Sequence, residues 1–231
     1  MKKLSLIILL FSIFQGLNAQ EEENSNKYVL GGSINFLSQS NSYPFSAFSI
    51  NSGIGGLYSN STNDIKNSIF AITPYFGKEI NSHWLAGLQL DYRRGNYKAE
   101  SSFVIGQSVT GEFERKSNQI GFGVFTRYMV NPENKVIFFI QPSVEYNILK
   151  EDEFFDSALN QEEKATYFEA RVNLGIVYNI NDKVRATLRT GGLLFVSGKW
   201  EVLDTDIEND FTSFSANLNL TNVSFGFELR I

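Results

Sequence analysis

Few side chains in this sequence of 231 residues could carry catalytic or metal chemistry. The chain has no cysteine and a single histidine, His83, which excludes thiolate metal sites, cysteine nucleophiles and centres built from several histidines. His83 lies in a short polar segment beside Trp84, and this position favours a solvated turn residue over the base of a Ser–His–acid triad. We therefore predict that the protein is not an enzyme, and we predict no catalytic residue, metal ligand or cofactor.

Two acidic segments are the remaining candidates for ion binding. The first flanks Phe154-Phe155 and the second follows Trp200. Their acidic residues are Glu151, Asp152, Glu153, Asp156, Glu162 and Glu163 in the first, and Glu201, Asp204, Asp206, Glu208 and Asp210 in the second. Carboxylates at this density could bind divalent cations that bridge to lipopolysaccharide phosphates, but the second segment lacks the glycine at the sixth position of a calcium loop. Solvated loop tips are the simpler interpretation.

The N-terminus has the pattern of a secretory signal peptide. Met1-Lys2-Lys3 precedes an apolar stretch, Leu4–Phe14, and Ala19 supplies a small residue for cleavage. The stretch is too short for a spanning helix, which needs about 20 residues. We predict a cleaved signal peptide at 1–19 and a single exported domain at 20–231. The net charge of −5 gives no basic surface for nucleic acid.

Apolar side chains occupy every second position in eight segments of the exported chain. These segments are 28–36, 70–76, 84–92, 120–128, 136–146, 168–178, 184–194 and 223–231. This period of two is typical of β-strands with one buried or lipid-facing side, and no segment sustains a period of 3.6 residues. The parity changes between Leu220 and Val223, which predicts a β-bulge there. Pro74 and Pro142 fall inside strands, where a bulge or a shorter strand would accommodate them.

The connections between these segments alternate in length. Three are short, at 80–83, 131–134 and 181–183, and four are long and polar, at 38–66, 94–116, 150–164 and 197–210. Strands of about 9–11 residues that alternate with short and long connections are typical of outer-membrane barrels. We predict an all-β fold, namely an eight-stranded antiparallel up-and-down transmembrane β-barrel with short periplasmic turns and long extracellular loops. Strands are expected to project beyond the membrane at 101–114 and 212–220.

The distribution of charge predicts which face of the barrel meets lipid. The 12 lysines lie in the signal peptide, at predicted strand ends or in loops, whereas arginines occupy the polar face within strands. An enclosed interior favours arginine, because its guanidinium fork can satisfy several carboxylates at once. The predicted interior ion network comprises Asp91, Arg127, Glu145, Glu169, Arg171, Arg185, Arg189, Glu228 and Arg230. Within it we expect a Glu145–Arg171 pair, and Arg185 or Arg189 in contact with Glu228.

Glycines and aromatic residues support the same orientation. Glycines on the polar face would make room for large inward side chains in a narrow barrel. Aromatic residues near the short turns form a predicted interfacial girdle on the apolar face. Its members are Tyr28, Phe76, Trp84, Tyr128 and Tyr178. The apolar face is therefore predicted to point towards lipid.

The eight amphipathic strands, the three short turns and the C-terminal strand Val223–Ile231 resemble the small outer-membrane β-barrel family. This family includes the OmpA transmembrane domain, OmpX-type proteins and PorT-like barrels. The resemblance implies a Gram-negative outer membrane, with membrane lipid and the barrel-assembly machinery as partners. The family usually ends in an aromatic residue, and this chain ends in Ile231.

We expect a structural, adhesive or assembly-subunit role in the cell envelope, with a plugged polar interior. Lipopolysaccharide or a surface partner could bind through the loops, and no nucleic-acid partner is expected. Two alternatives remain open at this point: a porin-like barrel that binds a ligand or transports a small solute, and a secreted soluble binder of lipocalin type.

Overall fold

The computed structural model describes residues 28–40, 62–105, 107–156, 158–216 and 223–231. The predicted signal peptide lies outside these ranges. The strands are β1 (Tyr28–Ser40), β2 (Thr62–Glu79), β3 (Trp84–Ile105), β4 (Gln107–Val130), β5 (Val136–Phe155), β6 (Ala158–Asn179), β7 (Val184–Val202), β8 (Glu208–Ala216) and β9 (Val223–Arg230). Within the described ranges, no helix is long and apolar enough to cross a bilayer.

The strands close into a ring. Each of β1 to β7 pairs antiparallel with the next, and β1 also pairs with β9, from Val29 opposite Arg230 to Ile34 opposite Phe225. β8 and β9 lie one after the other along the same edge of β7, so together they occupy the eighth strand position. The structure is therefore an up-and-down antiparallel barrel, which confirms the predicted fold class.

The short connections confirm the predicted turns, whereas three of the predicted long loops, at 94–116, 150–164 and 197–210, are mostly strand. The turns join strands at 80–83, 131–135 and 180–183 and define what we call the short-turn end of the barrel. The segments 94–116 and 150–164 are mostly strand and form long hairpins at the opposite, hairpin end. The strands predicted to project at 101–114 are confirmed, and β8 covers 212–216 of the second predicted projection, whose remainder lies outside the described residues. Elsewhere in these segments backbone pairing continues where apolar alternation is weak, so the periodicity underestimated the strand lengths. Several lysines that we placed in loops consequently lie within strands.

Both strand prolines are accommodated by a gap in one ladder. Pro74 lies opposite Gly32 of β1, whereas pairing with β3 stops for two residues and resumes in the same register. Pro142 lies opposite Val172 of β6, and the ladder to β4 has the same kind of gap. The missing N–H thus faces the interrupted side, and neither the bulge nor the shorter strand that we predicted is present at these two sites.

A β-bulge changes the facing of β7. Gly191 and Gly192 together oppose the single residue Asn173 of β6. As a result Leu188 before the bulge and Phe195 after it both face outward, although their separation of seven residues is odd. Leu194, which the sequence placed on the lipid-facing stripe, instead faces inward and packs against a buried apolar cluster.

The eighth strand position shows a matching change of parity. Phe214 of β8 and Phe225 of β9 are both exposed on the outer surface, although they lie eleven residues apart. The predicted bulge between Leu220 and Val223 falls on residues 217–222, outside the described ranges. The outward-facing positions are nevertheless even-numbered before this gap, as at Phe214, and odd-numbered after it, as at Phe225.

The two faces of the sheet differ sharply in composition. Every strand of the ring exposes large apolar side chains on the outer surface, among them Leu30, Phe70, Leu88, Phe122, Phe138, Phe168, Leu188 and Phe225. We call this surface the apolar belt. The inner surface carries the buried charged and amide groups, with apolar clusters near both ends. A lipocalin-like binder has the opposite arrangement, so the structure does not support that alternative.

Candidate functional site: the barrel interior

The centre of the interior is an ion pair between Arg127 of β4 and Glu228 of β9, each 2% exposed. The Tyr75 hydroxyl donates to the same carboxylate and accepts a hydrogen bond from Arg127 Nη2 at 3.3 Å. Arg127 Nε donates to Gln141 Oε1 at 2.9 Å, and the guanidinium lies 4.4 Å from the centroid of the Phe139 ring. Two buried charges are therefore paired and hydrogen-bonded across the barrel, the geometry that burial of charge requires.

A second group of charges lies next to this pair, towards the short-turn end. Glu79 Oε1 at the end of β2 accepts from Arg185 Nη1 and from Arg230 Nε, both at 2.9 Å. Arg185 also lies directly opposite Glu228 in the β7–β9 register, with its Nη1 3.7 Å from Glu228 Oε2. One continuous network therefore joins β2, β4, β7 and β9, and it contains the Arg185–Glu228 contact expected from the sequence.

A third group lies on the side towards the hairpin end. Arg93 pairs with Asp91 on its own strand and lies 4.0 Å from Glu169 Oε1, while Arg171 pairs with the same Glu169. Thr73 Oγ1 donates to Asp91 Oδ1 at 3.3 Å. Two carboxylates and two arginines of β3 and β6 thus form one group, to which β2 adds the Thr73 hydroxyl.

The predicted Glu145–Arg171 pair is replaced by other contacts. The register places Glu145 opposite Glu169, and Arg171 opposite Ser143. Arg171 therefore lies diagonal to Glu145 and pairs along its own strand with Glu169. Glu145 Oε1 instead accepts from Gln89 Nε2 at 2.5 Å.

Arg189 contacts a hydroxyl group, whereas the other arginines of the predicted network pair with carboxylates. Its Nη2 donates to Ser33 Oγ of β1 at 2.6 Å, and the contact with Glu228 is made by Arg185.

Several interior residues were missed by the sequence analysis. Tyr75, Gln89 and Gln141 lie at the same inward parity as their charged neighbours, so strict alternation would have identified them. Arg93 was missed because it directly precedes the segment that we read as a loop. Glu79 was missed because it adjoins a turn.

An acidic cluster lies inside the hairpin end, where Arg115 pairs with Glu153. Glu151 of β5 lies directly opposite Glu163 of β6, and Glu163 Oε2 accepts from Trp200 Nε1 at 2.7 Å. Burial, and to a lesser degree the neighbouring carboxylates Glu163 and Glu153, raise the pKa of Glu151 from 4.5 to about 7, although Arg115 lowers it. Burial also raises the pKa of Glu163.

The interpretation of the acidic segments as solvated loop tips is thus wrong for part of the first segment. Glu153 and Glu163 are buried, and Glu151 is half-buried. The second segment is different, because Asp204, Asp206, Glu208 and Asp210 are exposed. Among the described residues, no group of three or more His, Asp or Glu side chains is arranged to hold a metal ion.

The five predicted girdle residues lie at the short-turn end. Tyr28 stacks on Phe76 with ring centroids 5.6 Å apart, and Trp84 contacts Tyr128 at 5.0 Å. The Lys135 ammonium lies over the Tyr178 ring, 5.3 Å from the ring centroid.

The only histidine also lies at this end. The His83 ring stacks against Tyr128 at 5.7 Å, and its Nδ1 lies 2.9 Å from the Met129 carbonyl oxygen.

Three solved structures illustrate what the chain is similar to. Neisserial surface protein A is 12% identical, with a TM-score of 0.41, over 90% of this chain and 100% of its own. The outer membrane protein OprG from Pseudomonas aeruginosa is 12% identical, with a TM-score of 0.46, over 90% and 96%. A major outer membrane protein from Thermus thermophilus is 11% identical, with a TM-score of 0.40, over 90% and 100%. No family model and no curated protein matches the sequence. The fold assignment rests on the strand pairing of the chain itself.

Proposed function

We propose that the protein is an integral outer-membrane β-barrel with a structural or assembly-subunit role and a plugged polar interior. The observation that carries this proposal is the apolar belt. Leu88 is 50% exposed, Ile120 is 62% exposed and Phe138 is 60% exposed, and each belongs to a different strand. Soluble monomers rarely expose contiguous apolar patches beyond a few hundred Å². A bilayer solvates such a surface, and a closed ring of strands leaves no backbone edge unpaired in hydrocarbon.

The packing of the interior favours a structural role over conduction. Arg127, Arg185, Gln141 and Glu228 are almost completely buried, and they come from four different strands. Hydrogen bonds and ion pairs among these side chains connect the strands across the lumen. Side chains can fill the interior of an eight-stranded barrel, whereas porins with 16–18 strands leave an aqueous channel.

The long hairpins provide the surface for an adhesive or assembly partner. The β3–β4 and β5–β6 hairpins continue past the apolar belt, with pairing up to Ile105 opposite Gln107 and Phe155 opposite Ala158. Paired strands of this length present a preformed surface, and a partner that binds it loses little conformational entropy in the hairpins.

Membrane fractionation combined with gel mobility tests the proposal. The protein would be expressed with its N-terminal segment in a Gram-negative host, and outer membranes would be extracted with alkaline carbonate. A closed barrel stays folded in dodecyl sulfate until heated, so unboiled and boiled samples should migrate differently. Recovery in the periplasmic soluble fraction, or identical mobility before and after boiling, would contradict the proposal.

A further inference from the structure

The outer surfaces of six consecutive strands, β2 to β7, carry a lysine at nearly the same distance from the short turns. Each lies 13 to 15 residues from the strand end at those turns. We call these residues the lysine row: Lys66, Lys98, Lys116, Lys150, Lys164 and Lys199. They share the facing of the apolar belt, since Lys150 follows Ile148 by two residues and Lys164 precedes Phe168 by four.

The lysine row marks the boundary of the apolar belt. On β4 to β7, the outward positions between the turns and the row carry no charged side chain, and the structure describes all of these positions. With a rise of about 3.3 Å per residue and a tilt of 35–45°, the row lies roughly 35 Å from the short-turn end. The hydrocarbon core of a bilayer is about 30 Å thick, which places the row at headgroup depth in the opposite leaflet.

The charges at the centre of the row are incompletely balanced. Lys150 lies directly opposite Lys164 in the β5–β6 register, and like charges in that position destabilise a sheet. Lys164 Nζ lies 3.1 Å from Glu201, whereas Lys150 makes no ion pair within the described part of the chain. The carboxylates of Asp152 and Glu162 also face outward, and each lies two residues beyond Lys150 or Lys164 on its strand, further from the apolar belt. Other lysines of the row are balanced by carboxylates, since Lys98 and Lys116 contact Glu114, and Lys199 contacts Glu208. Lys150 at the centre of the row is therefore the cation left for a headgroup.

We propose that the lysine row binds the phosphate groups of lipopolysaccharide in the outer leaflet, with Lys150 and Lys164 at the centre of the site. The proposal rests on the proposed membrane location. Its support is the match of charge and depth: a flexible lysine stem can lie along apolar surface while the ammonium reaches a phosphate. Clusters of basic residues at an interface bind anionic headgroups in this way.

Lipid binding by the purified, detergent-solubilised full-length barrel tests this proposal. The affinity for fluorescent phosphorylated lipid A would be measured for the wild type and for the double variant Lys150→Gln with Lys164→Gln. We expect the variant to bind about 30-fold more weakly, the loss expected for two basic residues near an anionic surface. The charge-retaining variant Lys150→Arg with Lys164→Arg should keep most of the affinity.

The matched control removes two exposed lysines at the other end of the barrel, Lys78→Gln with Lys183→Gln, and should bind like the wild type. Dephosphorylated lipid A should bind the wild type as weakly as phosphorylated lipid A binds the glutamine variant. Equal affinity of the wild type for the two lipids would overturn the proposal, whether or not the glutamine variant folds. Displacement of the lipid by millimolar inorganic phosphate would also overturn it, because the site would then recognise free phosphate.

The heat-dependent gel shift separates this proposal from the proposed function. A variant that keeps its gel shift but loses lipid binding supports the lysine row. A wild type with no gel shift contradicts the barrel itself.

Discussion

Gly31 of β1 lies directly opposite Tyr75 of β2, and the tyrosine ring fills the space above the glycine. A Cβ atom at Gly31 would lie 2.4 Å from Tyr75 Cζ. Because the ring can cross β1 at this point, its hydroxyl reaches Glu228 beside Arg127. The absence of a side chain at Gly31 therefore allows the Tyr75 hydroxyl to join the Arg127–Glu228 ion pair as a third partner.

Replacement of Gly31 by alanine should destabilise the barrel, since the new methyl group would push the Tyr75 ring away from Glu228. Overpacking of this kind costs about 1–3 kcal/mol. The adjacent Gly32→Ala is the matched control, because its Cβ would meet nothing closer than Pro74 Cα at 3.4 Å. Urea midpoints in micelles, followed by tryptophan fluorescence, would measure both. Equal midpoints for the two variants would contradict the close packing.

Arg127→Met should destabilise the barrel strongly, because it leaves the buried carboxylate of Glu228 without its main partner. Removal of one member of a buried pair typically costs about 3–5 kcal/mol. The exposed Arg94→Met is the control and should change the free energy of unfolding little. Addition of Glu228→Gln to Arg127→Met should recover part of the loss. A double variant less stable than the Arg127→Met variant would show that Glu228 does not depend on Arg127.

The half-buried Glu151 should make the stability of the hairpin end depend on pH. Its pKa is about 7 in the folded barrel against an ordinary value of 4.5, so the folded state binds the proton more tightly. The free-energy cost of burying the ionised Glu151 carboxylate is therefore fully present above pH 7 and disappears below pH 4.5. The free energy of unfolding accordingly rises as the pH falls from 7 to 4.5. Glu151→Gln should reduce the rise in urea midpoint between pH 8 and pH 5. Glu162→Gln, on the outer surface, should leave that rise unchanged.

The bulge at Gly191-Gly192 reverses which side chains of β7 face outward. Cysteine scanning can detect this reversal, because the chain has no native cysteine. Single cysteines at Leu188, Leu193 and Phe195, labelled with a nitroxide, should be accessible to oxygen dissolved in the lipid. A cysteine at Leu194 should be protected, since this side chain packs against the inner cluster of Tyr167 and Trp200. High accessibility at Leu194 and low accessibility at Leu193 would indicate an uninterrupted strand.

The plugged interior predicts that the barrel conducts no steady ionic current. Reconstituted protein in planar bilayers should give no stable single-channel steps for small ions. Replacement of Arg127 and Gln141 by alanine together would remove two nearly fully buried side chains from the lumen and should raise leakage. Steady steps from the wild type would favour the porin-like alternative.

The alternation of side chains was enough to predict the closed antiparallel barrel and its three short turns. It was misleading at the hairpin end, because the segments around Lys98 and Lys116 show no alternation of apolar and polar side chains although their backbones pair. It was also misleading at Leu194, because the glycine pair at 191–192 inverts the facing of everything that follows on β7.

The sequence by itself determined which residues face inward on most strands, since a period of two and the preference of enclosed space for arginine are local properties of the chain. The choice of partners was decided only by the tertiary structure. Arg171 pairs with Glu169 and not with Glu145, and Arg127 meets Glu228 although 101 residues separate them. Those choices depend on the register and stagger between strands, which place side chains at a common height across the lumen. No single strand carries that information.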